Sequence, residues 1–263
     1  MIRLGPLTPL VTLLIGVFRT RWTGRRFWLA AAYGVLCHTL FALAVGAMIV
    51  MMFFGLSESF GRVPQPWAWL ANLALVLQFP LAHSFLLNGR GRRYLAWFAP
   101  EAHAKTLGTT VFAIIASVQL ALLFLLWTPS GIIWWQAEGA VFWIVCAAYG
   151  ASWLLLSWAS VDAGAEVQSG ALGWMSLAQG KRPVYPGMPT AGLFRVIRQP
   201  IYVSFALTLW TVPIWTPDQL LLAVVLTAYC LIAPRLKERR FAKRYGREFA
   251  DYRARTPYIL PGK

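Results

Sequence analysis

The sequence RQPIYVSFALTLWTVPIWTPDQLLLAVVLTAYCLIAPRLKERR, residues 198–240, holds two apolar segments between groups of charged residues. The segments are 201–215 and 219–234, and they turn around Pro213 and Pro217. Each has only about 15 residues, fewer than the ~20 that usually cross a bilayer. Charged side chains at membrane helix ends are costly unless they face protein, water or a ligand. The stretch therefore predicts a short helical hairpin with a site at its charged end.

Apolar residues dominate the rest of the chain as well. They make up 59% of the 263 residues, and four more segments have the length of membrane spans. These predicted spans are 27–56, 67–86, 107–127 and 141–160. The gaps between apolar segments are too short to form an independent soluble core. We predict a single all-α integral membrane domain over 1–263, a polytopic bundle of about six spans.

The two ends of the chain carry different patterns. Residues 1–26 contain an apolar run, 7–18, which is too short to span and has no signal-peptide cleavage site, so an interfacial helix is predicted. After Pro234 the sequence becomes basic, and its apolar residues recur at spacings that place them on one side of a helix. They are Leu236, Phe241, Tyr245, Phe249 and Tyr252. We predict an amphipathic C-terminal helix on the cytosolic face.

The formal charge of +15 sorts by predicted side of the membrane. Of the 24 Lys and Arg residues, 23 lie before residue 27, in 86–107, in 159–200 or from residue 235 onward. Arg62 alone lies elsewhere. This positive-inside bias predicts a bacterial inner-membrane protein with both termini in the cytosol. It favours membrane lipids as partners and argues against nucleic acid.

Motifs of soluble enzyme classes are missing from the sequence. There is no GxSxG, HExxH, P-loop or Gly-rich dinucleotide motif. The three cysteines lie inside apolar runs without ligand spacing, and the three histidines are scattered. We therefore predict neither a metal site nor a disulfide.

Two polar residues could carry chemistry. His83 lies near the cytosolic end of its predicted span, where it could accept a proton or contact a bound group, or only bond to a neighbouring backbone. Glu238 lies among four basic residues at the membrane surface. It could hold a ligand's ammonium or ribose hydroxyl, or simply balance its neighbours. The residues alone leave both alternatives open.

The C-terminal part, residues 193–261, resembles a known family. GLFRVIRQPIY (192–202), then Glu238, YGREF (245–249) and YRARTP (252–257) look like the isoprenylcysteine carboxyl methyltransferase superfamily of small membrane enzymes. The resemblance extends more weakly to 180–183 and to His83. The methanethiol S-methyltransferase and NnrU-like branch is the nearest.

The resemblance implies a function and a set of site residues. In this family S-adenosylmethionine binds on the cytosolic side of the hairpin and a methyl group passes to an acceptor from the membrane. Arg198, Pro200, Tyr202 and Glu238 match the cofactor-binding pattern, and Gln199 stands at a position within it. The resemblance thus implies a methyltransferase that acts on a small thiol or a lipophilic substrate.

Three residues depart from the family pattern. Gln199 replaces His, Lys237 replaces the first Glu of a pair, and Ser204 replaces Gly. Gln can still donate and accept hydrogen bonds, whereas Lys inverts the charge of a carboxylate. These departures favour an alternative, a catalytically degraded homologue that serves as a non-enzymatic subunit or scaffold of a membrane complex. In the enzyme hypothesis His83 is a possible contributor near the acceptor.

Overall fold

Helices account for nearly all regular structure in the computed structural model, which describes residues 5–260. The α-helices are α1 (Thr8–Phe18), α2 (Arg25–Phe53), α3 (Trp67–Leu86), α4 (Arg92–Leu95), α5 (Ala104–Leu125), α6 (Gly139–Asp162), α7 (Ala165–Gln168), α8 (Ala171–Ala178), α9 (Pro200–Trp210), α10 (Pro217–Tyr245) and α11 (Arg247–Arg255). Short 3₁₀ helices are Gly5–Leu7, Ala96–Phe98, Glu101–His103 and Gly192–Arg195, and two short strands are β1 (Trp135–Gln136) and β2 (Ile214–Trp215). The predicted all-α polytopic membrane bundle is confirmed.

Five helices in this part of the chain are long and apolar enough to cross a membrane: α2, α3, α5, α6 and α10. The sequence predicted about six, and the difference is the segment 201–215. Its helix, α9, has 11 residues and a rise of about 16 Å, half of the ~30 Å hydrocarbon core. The helix ends at Trp210 because Pro213 lacks an N–H and disfavours helical backbone before it. The chain then extends into β2.

The other predicted spans match the helices to within a few residues, except at the last. Predicted span 67–86 coincides with α3. The last span was predicted to end at Pro234, but α10 continues through this proline to Tyr245. The apolar residues of the predicted tail helix are thus divided between the end of α10 and α11. Leu236 is 39% exposed and stays outside the cluster that the others form.

The bundle is built around the pair α2 and α5, which pack along each other. The short α8 packs on both of them, and α1 packs on α8. On the other side, α9 lies between α6 and α10, and α10 also contacts α3. This arrangement places the charged end of the α9–α10 hairpin beside the carboxyl end of α3.

The turn between α9 and α10 is fixed by a buried carboxylate. Asp218, 1% exposed, accepts hydrogen bonds from Trp127 Nε1 at 2.9 Å and from Ser130 N at 2.8 Å, and the Ser130 hydroxyl donates to it as well. Thr216 caps α10 by accepting from Gln219 N. A carboxylate in the first helical turn is also favoured by the helix dipole. The network joins the turn to the loop after α5.

The first helix is short, as the sequence predicts. α1 has 11 residues and is tied to the end of α8 by Gln179 Nε2, which donates to Leu13 O at 3.0 Å. Several of its apolar side chains stay exposed, including Phe18 at 62%. Its place at the membrane interface remains a prediction, and residues 1–4 lie outside the described residues.

Candidate active site

Three of the predicted site residues meet where α9 begins, beside the last third of α10. Glu238 Oε1 accepts one hydrogen bond from Arg198 Nε and one from Gln199 Nε2, each at 2.8 Å. Gln199 is 1% exposed, and the side chains of Arg198 and Glu238 are 10% and 16% exposed. An ion pair this far removed from water is costly to break by removing one partner. The cluster therefore holds α9 and α10 in a fixed relation.

Arg198 also holds the C-terminal segment. Its Nη1 donates to the carbonyl oxygens of Arg253, at 3.1 Å, and Thr256, and its backbone N donates to Pro257 O at 2.9 Å. The guanidinium lies 5.4 Å from the centroid of the Tyr258 ring. The last carbonyls of a helix have no partner within the helix, so these bonds satisfy groups at the end of α11. One side chain thus joins α9, α10 and the chain after α11.

The ammonium of Lys237 lies among aromatic rings. Its Nζ is 5.6 Å from the ring centroid of Phe194, 5.5 Å from that of Tyr202 and 5.7 Å from that of Phe241. Between residues 5 and 260 no acceptor or carboxylate side chain pairs with it. Cations are attracted to the faces of aromatic rings. The three rings form a cation site that the protein's own lysine fills.

The neighbouring wall comes from α11. Phe249 and Tyr252 are buried against Met188, with Phe241 packed on them. The Tyr252 hydroxyl donates to Phe194 O at 2.7 Å. Burial raises the pKa of Tyr252 to about 12, with Arg198 opposing the rise and Glu238 adding to it. Tyr252 therefore stays a hydrogen-bond donor at neutral pH.

The space enclosed by these residues is small, about 10 Å³. That is room for about one water molecule. Gln199 Oε1 is buried and has no hydrogen-bond partner among the described residues. The cleft thus offers an unused acceptor and aromatic faces, both suited to a ligand with a cationic group. A ligand larger than water requires the Lys237 side chain to move out.

The remaining predicted cofactor residues lie in the first turns of α9. Pro200 is the first residue of α9, where a missing N–H costs nothing. Ser204 Oγ donates to Pro200 O at 2.6 Å, so it is occupied within the helix. Tyr202 faces Lys237 on one side and Tyr229 on the other, with 6.4 Å between the two tyrosine ring centroids.

His83 lines a different space. It borders a cavity of about 690 Å³ between α2, α3 and α5 that does not share lining residues with the small cleft. Its ring packs against Phe79 and Phe112, with centroid distances of 5.2 and 4.9 Å. Its Nδ1 is buried, as is the Thr109 hydroxyl on the same wall, and neither has a partner within residues 5–260. The cavity is lined mainly by apolar side chains, and Arg92, Lys105 and Gln168 also border it.

Sequence reasoning did not anticipate three features of this region. The cage around Lys237 depends on rings from three separate segments. The large cavity depends on α5 and on Val167, Gln168 and Tyr185, none of which belongs to a motif. Tyr252 was placed on an apolar face, but its bond to Phe194 O needs the chain to return over the 3₁₀ helix. Within the described range no group of three His, Cys, Asp or Glu could hold a metal.

The chain is similar to methyltransferases over most of its length. It is 29% identical to Methanethiol S-methyltransferase 2 of Bradyrhizobium diazoefficiens, covering 74% of this chain and 73% of that protein. It is 25% identical to the Methanethiol S-methyltransferase of a Pseudomonas species, covering 91% of this chain and 95% of the other. Methanethiol S-methyltransferase 1 of B. diazoefficiens is 24% identical, and the match covers 91% of this chain and 85% of that protein. These homologues are consistent with an isoprenylcysteine carboxyl methyltransferase-like membrane family.

No family model matches the chain, and no solved structure matches it.

Proposed function

We propose that this membrane homologue of methyltransferases transfers a methyl group from S-adenosylmethionine to a small thiol. The observation that carries the proposal is the cluster of Arg198, Gln199 and Glu238, which lies beside a cation cage in a chain whose relatives are methyltransferases. No finding supports the alternative of a non-enzymatic subunit.

The residues of the small cleft suit the methyl donor in chemistry. Bound there, S-adenosylmethionine would supply an electrophilic methyl group on a positively charged sulfur. Gln199 Oε1 and the second oxygen of Glu238 can accept from an ammonium or from ribose hydroxyls. Pro200 starts α9 directly after Gln199, and Tyr202 borders the cleft only through its contact with Lys237. The cleft opens when Lys237 leaves the three rings, and these then face the ligand's cationic part.

The larger cavity suits the acceptor. A thiol must lose its proton to become a strong nucleophile. His83 Nδ1 has no partner within residues 5–260 and its side chain lines the cavity, so it can take that proton. The thiol sulfur would then bond to the methyl group as the donor's sulfonium–methyl bond breaks and S-adenosylhomocysteine leaves. The surrounding apolar side chains exclude water, which favours transfer to sulfur over hydrolysis. The two spaces share no lining residue, so transfer requires the opening of the cleft at Lys237 to bring donor and acceptor together.

The proposed setting is the bacterial inner membrane, with both termini in the cytosol. The support is the distribution of Lys and Arg, which leaves only Arg62 on the opposite side. A charged methyl donor is then reached from the cytosol. A small apolar thiol reaches the cavity through the lipid.

The test is a transfer assay with purified protein in detergent, isotope-labelled S-adenosylmethionine and methanethiol, with detection of labelled dimethyl sulfide. We expect labelled product, and at least a tenfold lower rate in His83→Ala because the thiol keeps its proton. His103→Ala, on the loop before α5, is the matched control and should be unchanged. Folded protein that forms no product with any small thiol would overturn the proposal.

A further inference from the structure

A second large cavity lies under the first helix. It has a volume of about 970 Å³ and shares no lining residue with the cleft or with the cavity at His83. Its walls come from α1, α7, α8 and the segment that follows α8. Ligand pockets are commonly about 300–1,000 Å³, so it is large enough for more than solvent.

A buried carboxylate lines this cavity, and one of its oxygens has no partner within residues 5–260. Glu166, in the first turn of α7, is 2% exposed. Its Oε2 has no hydrogen-bond partner among the described residues, and no basic side chain there lies within 4.0 Å of it. A charge taken out of water without a partner is strongly unfavourable. A hydrogen-bond donor from a ligand, preferably one that carries a positive charge, would therefore stabilise this carboxylate.

The backbone around Glu166 is held rigidly. Gly170, at the end of the α7 turn, has a φ of +75°, and a Cβ there would lie 2.6 Å from the Ala113 Cβ of α5. Thr110 Oγ1 donates to Gly170 O at 2.7 Å, and Ser169 Oγ donates to Ala165 O at 2.7 Å. The backbone turn that carries Glu166 is therefore fixed on both sides.

The rim of the cavity is basic. Arg19, Lys181 and Arg182 line it, and all three are exposed. Lys181 Nζ is oriented by Gln179 Oε1 at 3.2 Å, whereas in residues 5–260 the other two make no ion pair. Three cationic side chains around one opening suit a phosphate group. The cavity thus has a negative group inside and positive groups at its mouth.

Apolar side chains lie beside the same mouth. Ile15 and Val184 line the cavity and are 45% and 83% exposed, and nearby Phe18 and Trp22 are 62% and 52% exposed. A water-soluble metabolite would leave these surfaces in water, whereas acyl chains would cover them. Aromatic side chains in such a position are typical of a membrane interface.

We propose that this cavity is a phospholipid site that takes a headgroup with both a phosphate and a primary ammonium, as in phosphatidylethanolamine. The ammonium meets Glu166, the phosphate meets the basic rim, and the acyl chains lie along α1. A choline headgroup has no N–H and cannot satisfy Glu166 Oε2. The site is independent of methyl transfer, since it shares no residue with the cleft.

The test measures binding of short-chain phospholipids to the delipidated full-length protein by native mass spectrometry and calorimetry. We expect phosphatidylethanolamine to bind at least tenfold more tightly than phosphatidylcholine or phosphatidylglycerol. Glu166→Gln, which is nearly isosteric, should abolish that preference. Glu101→Gln, an exposed carboxylate before α5, is the matched control and should keep it.

A second variant separates the two halves of the headgroup. Arg182→Gln should weaken the binding of all three phospholipids by a similar factor, because it removes only a contact to the phosphate. The preference for a headgroup with a primary ammonium should stay intact. Equal binding of all three lipids by the wild-type protein would overturn the proposal, as would an unchanged preference in Glu166→Gln. If free phosphoethanolamine binds as tightly as the lipid, the proposal that the ligand is a phospholipid would be overturned.

Discussion

The two ends of α10 hold carboxylates in very different environments. Asp218, in its first turn, is 1% exposed and accepts from Trp127 and from two donors of Ser130. Glu238, near its end, uses one oxygen for both Arg198 and Gln199. The first carboxylate is saturated by the protein and can only serve the fold. The second retains an oxygen with which it can serve a ligand.

Glu166 extends this comparison to a third environment. It is as buried as Asp218, yet no donor among the described residues meets its Oε2. Buried polar groups in proteins are nearly always paired, so an unpaired one needs a reason. The three carboxylates thus differ in how many hydrogen-bond donors the protein supplies. A carboxylate that receives fewer of them keeps more capacity to accept hydrogen bonds from a ligand.

The largest expected effect comes from the saturated carboxylate. Asp218→Ala leaves the Trp127 and Ser130 donors buried and unpaired, so we expect a loss of about 3–5 kcal/mol in stability. Thermal unfolding in detergent measures it. Asp251→Ala, an exposed acid on α11, is the control and should change stability by less than about 0.5 kcal/mol. If Asp218→Ala lowers stability only slightly, Asp218 does not have the structural role that distinguishes it from Glu238.

A smaller loss is expected at Arg198, which serves both the fold and the site. Arg198→Ala removes the partner of Glu238 and frees the segment after α11, so stability should fall by roughly 2–4 kcal/mol. Limited proteolysis should then cut near residue 256 faster. The control is Arg253→Ala, because Arg198 contacts only the backbone oxygen of Arg253. Equal proteolysis of the two variants would contradict the anchoring role.

Gln199 should affect both stability and binding. Gln199→Leu keeps most of the volume but removes the Nε2 donor to Glu238 and an Oε1 that has no partner among the described residues. We expect stability to fall by about 1.5–3 kcal/mol and affinity for S-adenosylmethionine to fall about tenfold. Gln199→His, which restores an N–H donor and a ring acceptor, should recover part of the affinity. An affinity unaffected by Gln199→Leu would remove Gln199 from the donor site.

The smallest effect on folding is expected at Glu166. Glu166→Gln removes a buried charge that has no ion-pair partner within residues 5–260, so stability in lipid-free detergent should be unchanged or higher by about 1 kcal/mol. Chemical unfolding measures the difference. A clear loss of stability would mean that the protein itself uses this carboxylate, and the three-way comparison would fail.

Much of the fold was accessible from local sequence patterns. Apolar length alone placed α3 to the residue, and α2, α5 and α6 to within about three residues at each end, because a bilayer demands that length. The end of α9 was missed because the apolar run continues to Trp215, past the Pro213 that ends the helix at Trp210. Pro234 also misled the prediction, because a proline at a helix position facing neighbouring helices can be tolerated.

The candidate site was only partly accessible. The grouping of Arg198, Gln199 and Glu238 came from the family resemblance, and the structure brings these side chains together. His83 was associated with the same mouth, whereas it lines a separate cavity. Lys237 was seen as an inverted charge. Its enclosure brings Phe194 and Tyr202 from distant parts of the sequence onto Lys237 beside Phe241, which spacing cannot reveal.

The central claim is that the Glu238 end of α10 is a methyl-donor site. Calorimetry with S-adenosylmethionine on wild-type protein and on Glu238→Gln tests it most directly, with thermal unfolding to show that both are folded. The account predicts micromolar binding by the wild-type protein and at least tenfold weaker binding by the variant. Folded wild-type protein that does not bind, or a variant that binds equally well, would contradict it.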